Sequence, residues 1–299
     1  MISVVISTYN RARFLNKCFE SLKNQDLSKN DFEIILVDNN CTDETPDICQ
    51  NFSLKNPDIN FKYFIEKNQG LSFARNRGIN ESSGNFVTFL DDDAFADKNF
   101  LKEITVFMEQ NKNVVSVGGK ILLHFETSAP KWLNKYLASL LGYFNIGDNI
   151  LQFNKRNYPR GSNMTFRKEI FSRCGYFNTD LGRKGGNLEG SEEKDIYSRI
   201  YSLNETVYYL PQAIVYHVVP EERTKIDFIR KQAIGVGFSE WNRVKRKGFK
   251  MQISRIFIEI FKWSASLFLF FYYFFLLKLP KGLMILKFRY WVTKGLLKN

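Results

Sequence analysis

Four apolar, β-type runs alternate with helical spacings over the first ninety residues, and this alternation predicts an α/β fold with a doubly wound, mostly parallel sheet. Two further observations agree with it. Two of the runs end in carboxylates, Asp38 and Asp91-Asp92-Asp93, at the strand ends where open α/β sheets place their ligands. Beyond residue 222 the composition turns basic and helical, which sets a C-terminal region apart.

Residues 2–7 are a continuous apolar run of the kind buried on both faces of a sheet. Thr8-Tyr9-Asn10 breaks it, and Phe14, Leu15, Cys18, Phe19 and Leu22 then recur at helical spacing over 11–24. A second strand covers 32–37, and Thr42 or Asp43 can cap a helix reaching about Leu54. A third strand covers 60–65, Asn68-Gln69-Gly70 is a turn, and 71–81 is a helix. The fourth strand, 86–90, runs into the aspartate triplet. A helix over 98–111 and a strand over 114–123 follow. Residues 124–160 carry little pattern. The stretch 160–167 reads as a tight turn into a short strand, and the glycine-rich 174–187 as a mobile loop. Ser191 can cap a helix beginning at Glu192, and 206–210 and 213–217 are short strands.

Three adjacent carboxylates at a strand end repel one another, and a cation or hydrogen-bond donors relieve that repulsion. Hard divalent cations such as Mg²⁺ and Mn²⁺ prefer oxygen ligands. The glycine fingerprints that cradle phosphates, G-x-G-x-x-G and G-x-x-x-x-G-K-[ST], are absent, so a phosphate ligand would be clamped through a metal on the carboxylates. Glu192 and Glu193 open a helix, where the dipole favours acids and keeps them ionised, as a general base requires. Asp195 and Arg199 are four apart and can simply pair. His217 ends a short strand and is one of 2 histidines, so a His-rich metal site is excluded. Arg75 and Asn76 fall on a helix near the crevice.

The net charge of +12 is uneven: residues 223–299 hold 17 Lys and Arg against 3 Asp and Glu. The apolar, aromatic interleaving of this tail argues against nucleic acid and for an anionic membrane surface. Its apolar stretch 263–277 falls short of the roughly 20 residues needed to span a bilayer, and Glu259 and Lys262 stand just upstream. We expect an interfacial or re-entrant helix there, a break at Pro280-Lys281-Gly282, and a second amphipathic piece over 283–297. The 4 cysteines lack metal-type spacing, and Met1 leads straight into a strand; both suit reduced thiols in a cytoplasmic chain.

Seven pieces, in order, resemble family 2 glycosyltransferases of the single-domain, A-type nucleotide-diphospho-sugar transferase fold. They are Val4-Val5-Ile6-Ser7-Thr8-Tyr9-Asn10-Arg11, Val37-Asp38-Asn39-Asn40-Cys41-Thr42-Asp43, Gly70-Leu71-Ser72-Phe73-Ala74-Arg75-Asn76, Phe89-Leu90-Asp91-Asp92-Asp93, Arg160-Gly161-Ser162-Asn163-Met164-Thr165-Phe166-Arg167, Gly190-Ser191-Glu192-Glu193-Lys194-Asp195, and Tyr209-Leu210-Pro211 through His217. The resemblance implies a catalytic domain over 1–222, with a nucleotide-binding half (1–123) and an acceptor and catalytic half (124–222), followed by a helical tail over 223–299. It implies that Thr8, Tyr9 and Asp38 hold the base of a nucleotide-diphospho-sugar, a UDP-sugar being favoured. Arg75 would lie beside base and ribose, and Arg11, Asp91 and Asn163 would belong to the same donor-binding set. Asp92 would contact the ribose side and Asp93 the Mn²⁺ or Mg²⁺, with His217 near the metal or diphosphate. Glu193 matches the catalytic base, a position where the family more often has Asp, so Glu192 and Asp195 stay open as alternatives. The processive polymerases' Q-x-x-R-W is absent, which favours transfer of a single sugar, with inversion. A cytoplasmic enzyme on the inner face of the cell membrane suits a glycan or lipid-linked acceptor. The competing readings are a nucleotidyltransferase, which would want a basic glycine-rich loop near the first strand, and an inactive glycan- or membrane-binding scaffold.

Overall fold

The computed structural model describes residues 1–155, 157–183, 191–245 and 248–297. In chain order the elements are β1 Ile2–Thr8, α1 Ala12–Lys23, β2 Phe32–Asp38, α2 Thr45–Lys55, β3 Phe61–Ile65, α3 Leu71–Glu81, β4 Phe86–Asp91, β5 Ala94–Ala96, α4 Phe100–Gln110 and β6 Val114–Phe125. After a 3₁₀ turn at Ala138–Leu141 come β7 Leu151–Gln152, β8 Met164–Arg167, α5 Ile170–Cys174, α6 Glu192–Ser202 and β9 Thr206–Val219. Four helices follow: α7 Glu221–Thr224, α8 Ile226–Lys245, α9 Phe249–Phe275 and α10 Leu279–Leu296. Contacts gather these into two units, Met1–Leu123 with Tyr143–Val218, and His124–Gly142 with Val219–Asn299.

The sheet order is β3-β2-β1-β4-β8-β6-β9-β5, with β7 beside β9. β3, β2, β1 and β4 pair in parallel, because α1, α2 and α3 supply the long crossovers that parallel neighbours need. β8 joins β4 and β6 antiparallel, and β5 and β7 join β9 antiparallel. The parallel character is therefore that of the first four strands. The two short strands expected around Pro211 are one strand, β9: a proline removes one donor without ending the extended backbone.

Strand alternation divides the core. Ile2, Val4 and Ile6 of β1, Ile34 and Leu36 of β2, and Leu90 of β4 face a cluster with Leu15, Phe19, Phe52 and Ile104. Val5, Ile35, Val37, Val87 and Phe89 face the other side, with Ala74, Ile79, Phe166 and Ile196. On that side α3 lies against β1 through Gly78, where an added Cβ would strike Val5. At the amino ends of the strands Glu33, fully buried, accepts from the Ser3 hydroxyl at 2.6 Å and the Ser83 N–H at 2.6 Å, and pairs with Lys62 at 2.7 Å.

In the second unit α9 and α10 form an antiparallel hairpin. Glu259 of α9 takes the Arg255 guanidinium at 2.8 Å, Arg289 of α10 at 3.3 Å and the Thr293 hydroxyl at 2.8 Å. This inward cluster changes the expected tail. Glu259 and Lys262 do not bound a short apolar piece: Arg255 and Arg289 neutralise Glu259, and α9 runs unbroken from Phe249 to Phe275. It is long and apolar enough, by length and composition, to cross a membrane. Gly237 of α8 and Gly295 of α10 leave room for their backbones to touch.

The Glu33 cluster yields a stability prediction. Burial pushes its carboxyl up, but the bonds from Lys62, Ser3 and Ser83 outweigh burial and hold it below its ordinary 4.5. Its contribution is therefore present above pH 4.5 and is lost as the pH falls below that value. Glu33→Ala should cost about 3 kcal/mol in urea unfolding at pH 7, since it strands a partly buried lysine, and the difference from wild type should shrink in acid.

Candidate active site

The register of the parallel strands brings three chain segments to one edge. Thr8 stands opposite Asp38, and Ser7 opposite Asp91. The turns beyond these strands lock together: Asn10, at φ +53°, accepts from the Thr42 N–H at 2.7 Å, and Asp43 accepts from the Ala12 N–H at 2.8 Å. The aspartate triplet emerges beside them, with Asp91 ending β4, and Asp92 and Asp93 forming the turn into β5.

Asp92 and Asp93 are buried, Asp91 is not. The Thr8 hydroxyl donates to Asp92 at 2.8 Å. Arg11 reaches both neighbours, lying 3.3 Å from Asp92 and bonded directly to Asp93. Burial raises the Asp92 carboxyl well above its ordinary range; the Arg11 charge opposes that rise and the Asp93 charge adds to it. For Arg11, burial works against the charge, yet the facing Asp92 and Asp93 raise its pKa above the ordinary value. The pairing of β5 with β9 sets His217 opposite Ala94, and its Nε2 lies 3.4 Å from Asp93. One ligand atom from each of Asp91, Asp93 and His217 falls within 4.8 Å of the others. Two carboxylates and an imidazole at that spacing could hold a divalent cation, and the guanidinium drawn onto the pair shows how strongly the turn calls for positive charge.

A second cation organises the other side. Arg75 on α3 is 2% exposed. Its guanidinium lies 2.8 Å from Glu192, 3.7 Å from Glu193 and 4.0 Å from Asp91. The rings of Phe89 and Phe177 lie 5.8 and 5.4 Å from it. Helix α6 thus points its first two carboxylates at a buried positive charge. Glu193 is 24% exposed, and lost solvation still pushes its carboxyl up to about 7 against the lowering pull of Arg75, with Glu192 adding to the rise. The described part of the glycine-rich loop is tied to α3: Asn76 exchanges two 2.9 Å bonds with the Phe177 backbone, and Ser72 donates to the Leu181 carbonyl at 2.8 Å. Residues 184–187 of that loop, and Gly190 of the motif before α6, lie outside the described residues.

The remaining sequence candidates stand apart. Asp38 is buried, with one carboxylate oxygen taking the Tyr63 hydroxyl at 2.6 Å and the other the Cys41 N–H at 2.6 Å. Tyr9 is exposed at the rim. Asn163 is wholly buried and donates to the carbonyls of Lys120 and Ala213, joining strands rather than meeting the carboxylates. Asp195 turns to Arg199, at 2.8 Å, as its four-residue spacing allowed. Two features were not evident from the sequence. Asp91 joins the candidate metal set, and Gly161 lies against the pair, so that an added Cβ would push aside the Glu193 carboxylate and the Arg75 guanidinium. Gly161 was visible only as part of a motif.

A family model described as glycosyl transferase family 2 matches residues 3–175. A glucosyl-dolichyl phosphate glucuronosyltransferase of Haloferax volcanii is 28% identical over 242 residues, 80% of this chain and 76% of that protein. A GalNAc(5)-diNAcBac-PP-undecaprenol beta-1,3-glucosyltransferase of Campylobacter jejuni is 37% identical over 132 residues, 44% of this chain and 41% of that protein, so the chain matches less than half of that relative. Among solved structures, a mannosyltransferase from Pyrobaculum calidifontis in complex with GDP-Man and Mn²⁺ superposes with a TM-score of 0.60 at 16% identity, covering 95% of this chain and 73% of that one. At that identity the likeness shows the fold.

Proposed function

The chain belongs to glycosyl transferase family 2, and on that premise we propose that it moves one sugar from a nucleotide-diphospho-sugar to a hydroxyl of a glycan or lipid-linked acceptor, inverting the anomeric carbon. The observation that carries the reading is Glu193, a carboxylate of raised pKa held toward the Arg75 guanidinium at 3.7 Å, on the same crevice edge as the Asp91, Asp93 and His217 cluster.

Glu193 is the base. In its ionised form it takes the proton of an acceptor hydroxyl, whose oxygen bonds to the anomeric carbon as the bond to the diphosphate breaks and the electron pair leaves with the diphosphate. Arg75 opposes the rise in the Glu193 pKa and so favours its ionised form, and Gly161 leaves the room both need. Glu192 is spent on Arg75, and Asp195 on Arg199, which favours Glu193 over the two alternatives. Asp91, Asp93 and His217 would hold Mn²⁺ or Mg²⁺, whose charge offsets that of the departing diphosphate. Arg11 steadies the turn carrying Asp92 and Asp93, and Asp92 serves the ribose side. Tyr9 offers an exposed ring for a base, above Asp38 and Thr8, and a UDP-sugar remains the favoured donor.

The acceptor reading draws on the relatives, whose names specify dolichyl phosphate and undecaprenol carriers, and on α9. Phe257, Phe261, Phe268 and Phe275 of that helix are each at least two-thirds exposed, while its charged Arg255 and Glu259 turn inward. A basic tail with this apolar surface suits the inner face of a cell membrane.

Glu193→Gln should lower kcat by roughly 10²- to 10⁴-fold with little change in donor KM; a variant of undiminished turnover would remove Glu193 from the base role. Because the base must be ionised, wild-type kcat/KM should fall as the pH drops through about 7. Flotation with phosphatidylglycerol vesicles should recover the wild-type chain, and Phe261→Glu with Phe268→Glu should leave it in the dense fraction. Equal recovery of both proteins would contradict membrane attachment through α9.

A further inference from the structure

A hollow of about 450 Å³ opens against α6. Helix α6 lines it with Lys194, Tyr197, Ser198, Tyr201 and Ser202, residues that recur at three- and four-residue spacing along one face. The facing wall is Lys155 and Tyr158. The wall is rigid: the rings of Tyr158 and Tyr197 stack with centroids 5.7 Å apart, and the Tyr201 hydroxyl donates to the Asn157 carbonyl at 2.8 Å. Arg160 lies over the Tyr158 ring, 4.7 Å from its centroid, and its charge also acts on Glu193. The hollow lies close to the base, since the Glu193 charge acts on both Tyr158 and Tyr197 of its lining.

We propose that this hollow binds an anionic group on the acceptor, one or two sugar units from the hydroxyl that reacts. The proposal rests on the glycosyltransferase reading and adds to it the chemical class of the acceptor. Three features carry it. The hollow is the size of one or two sugar rings. Its lining presents the exposed Ser198 and Ser202, whose hydroxyls can share a sugar's hydrogen bonds, on a floor of tyrosine rings stacked against one another. Its two lysines meet no acidic side chain among the described residues, whereas Lys62 and Lys120 in the same unit each hold a carboxylate. Two unneutralised ammonium groups at the rim of a polar hollow favour a negative ligand. The anion can be the carboxylate of a uronate or a phosphate on the glycan.

The test is calorimetric titration of the full chain, with UDP and Mn²⁺ present so that phosphate cannot bind at the donor site. Three probes of similar size are compared: cellobiose, its glucuronate-terminated analogue, and cellobiose 6-phosphate. UDP binding is measured first, so that failure of the donor reading registers there and not in the disaccharide comparison. An acidic probe should bind at least tenfold more tightly than cellobiose, and the tighter of the two acidic probes identifies the anion. Lys155→Glu with Lys194→Glu should remove that preference while leaving UDP affinity unchanged. Ser198→Trp, which fills the hollow without altering its charge, should weaken the acidic probe as well. Equal binding of acidic and neutral probes, or acidic binding that survives the lysine double variant, would overturn the proposal.

Discussion

The site depends on one buried cation. Arg75 faces Glu192, Glu193 and Asp91 from a position almost closed to water. Carboxylates brought that close would otherwise repel, and burying them without a counter-charge costs several kcal/mol each. The guanidinium suits this task because it stays charged and offers five donors in one plane. Its place is set by packing some distance away. Gly78 lets α3 lie directly on Val5 of β1. Asn39, accepting from the Gly70 N–H at 2.7 Å, fixes where the helix begins. Phe89 and Phe177 close over the charged group.

A second cation, Arg11, does similar work at the other side of the strand ends, and Asp91 stands between the two. It is the least buried of the triplet, reaching toward Arg75 at 4.0 Å while offering an oxygen to the cluster with Asp93 and His217. The two charge groups correspond to the two ends of the proposed reaction. One takes a proton from the incoming hydroxyl, and the other faces the charge that leaves with the diphosphate. The raised pKa of Glu193 follows from this arrangement, since burial and the neighbouring acids outweigh Arg75 and bring the base to about 7, where it can both take and release a proton near neutral pH.

Local pattern carried much of this. The first four strands were legible because each is a mostly apolar, β-type run bounded by turn residues, and the triplet was legible as charge at the end of such a run. Asp195 with Arg199 followed from helical spacing. What could not be read depended on distance in the chain. Arg75 and Glu192 are 117 residues apart, and no local signal joins them. β5 has three residues, too few for a period, and β9 continues through a proline that read as a stop. The length of α9 was hidden because Glu259 looks like an end to an apolar run until Arg289 and Thr293, thirty or more residues later, are seen to neutralise it. Asp38 and Asn163 illustrate the converse. Both stand in recognisable motifs, yet the Asp38 carboxylate oxygens and the Asn163 amide N–H groups are already engaged by the chain itself.

The most direct measurement is the acid limb of kcat/KM in Arg75→Met, a variant that keeps much of the side chain's bulk and removes its charge. With Arg75 gone, burial and the Glu192 and Asp91 charges act on Glu193 against the weaker pull of Arg160 alone, so the limb should move above its wild-type position by about a pH unit. Arg75→Lys should restore part of that shift. A limb that stays where it is in Arg75→Met, in a folded protein that still turns over, would contradict the account.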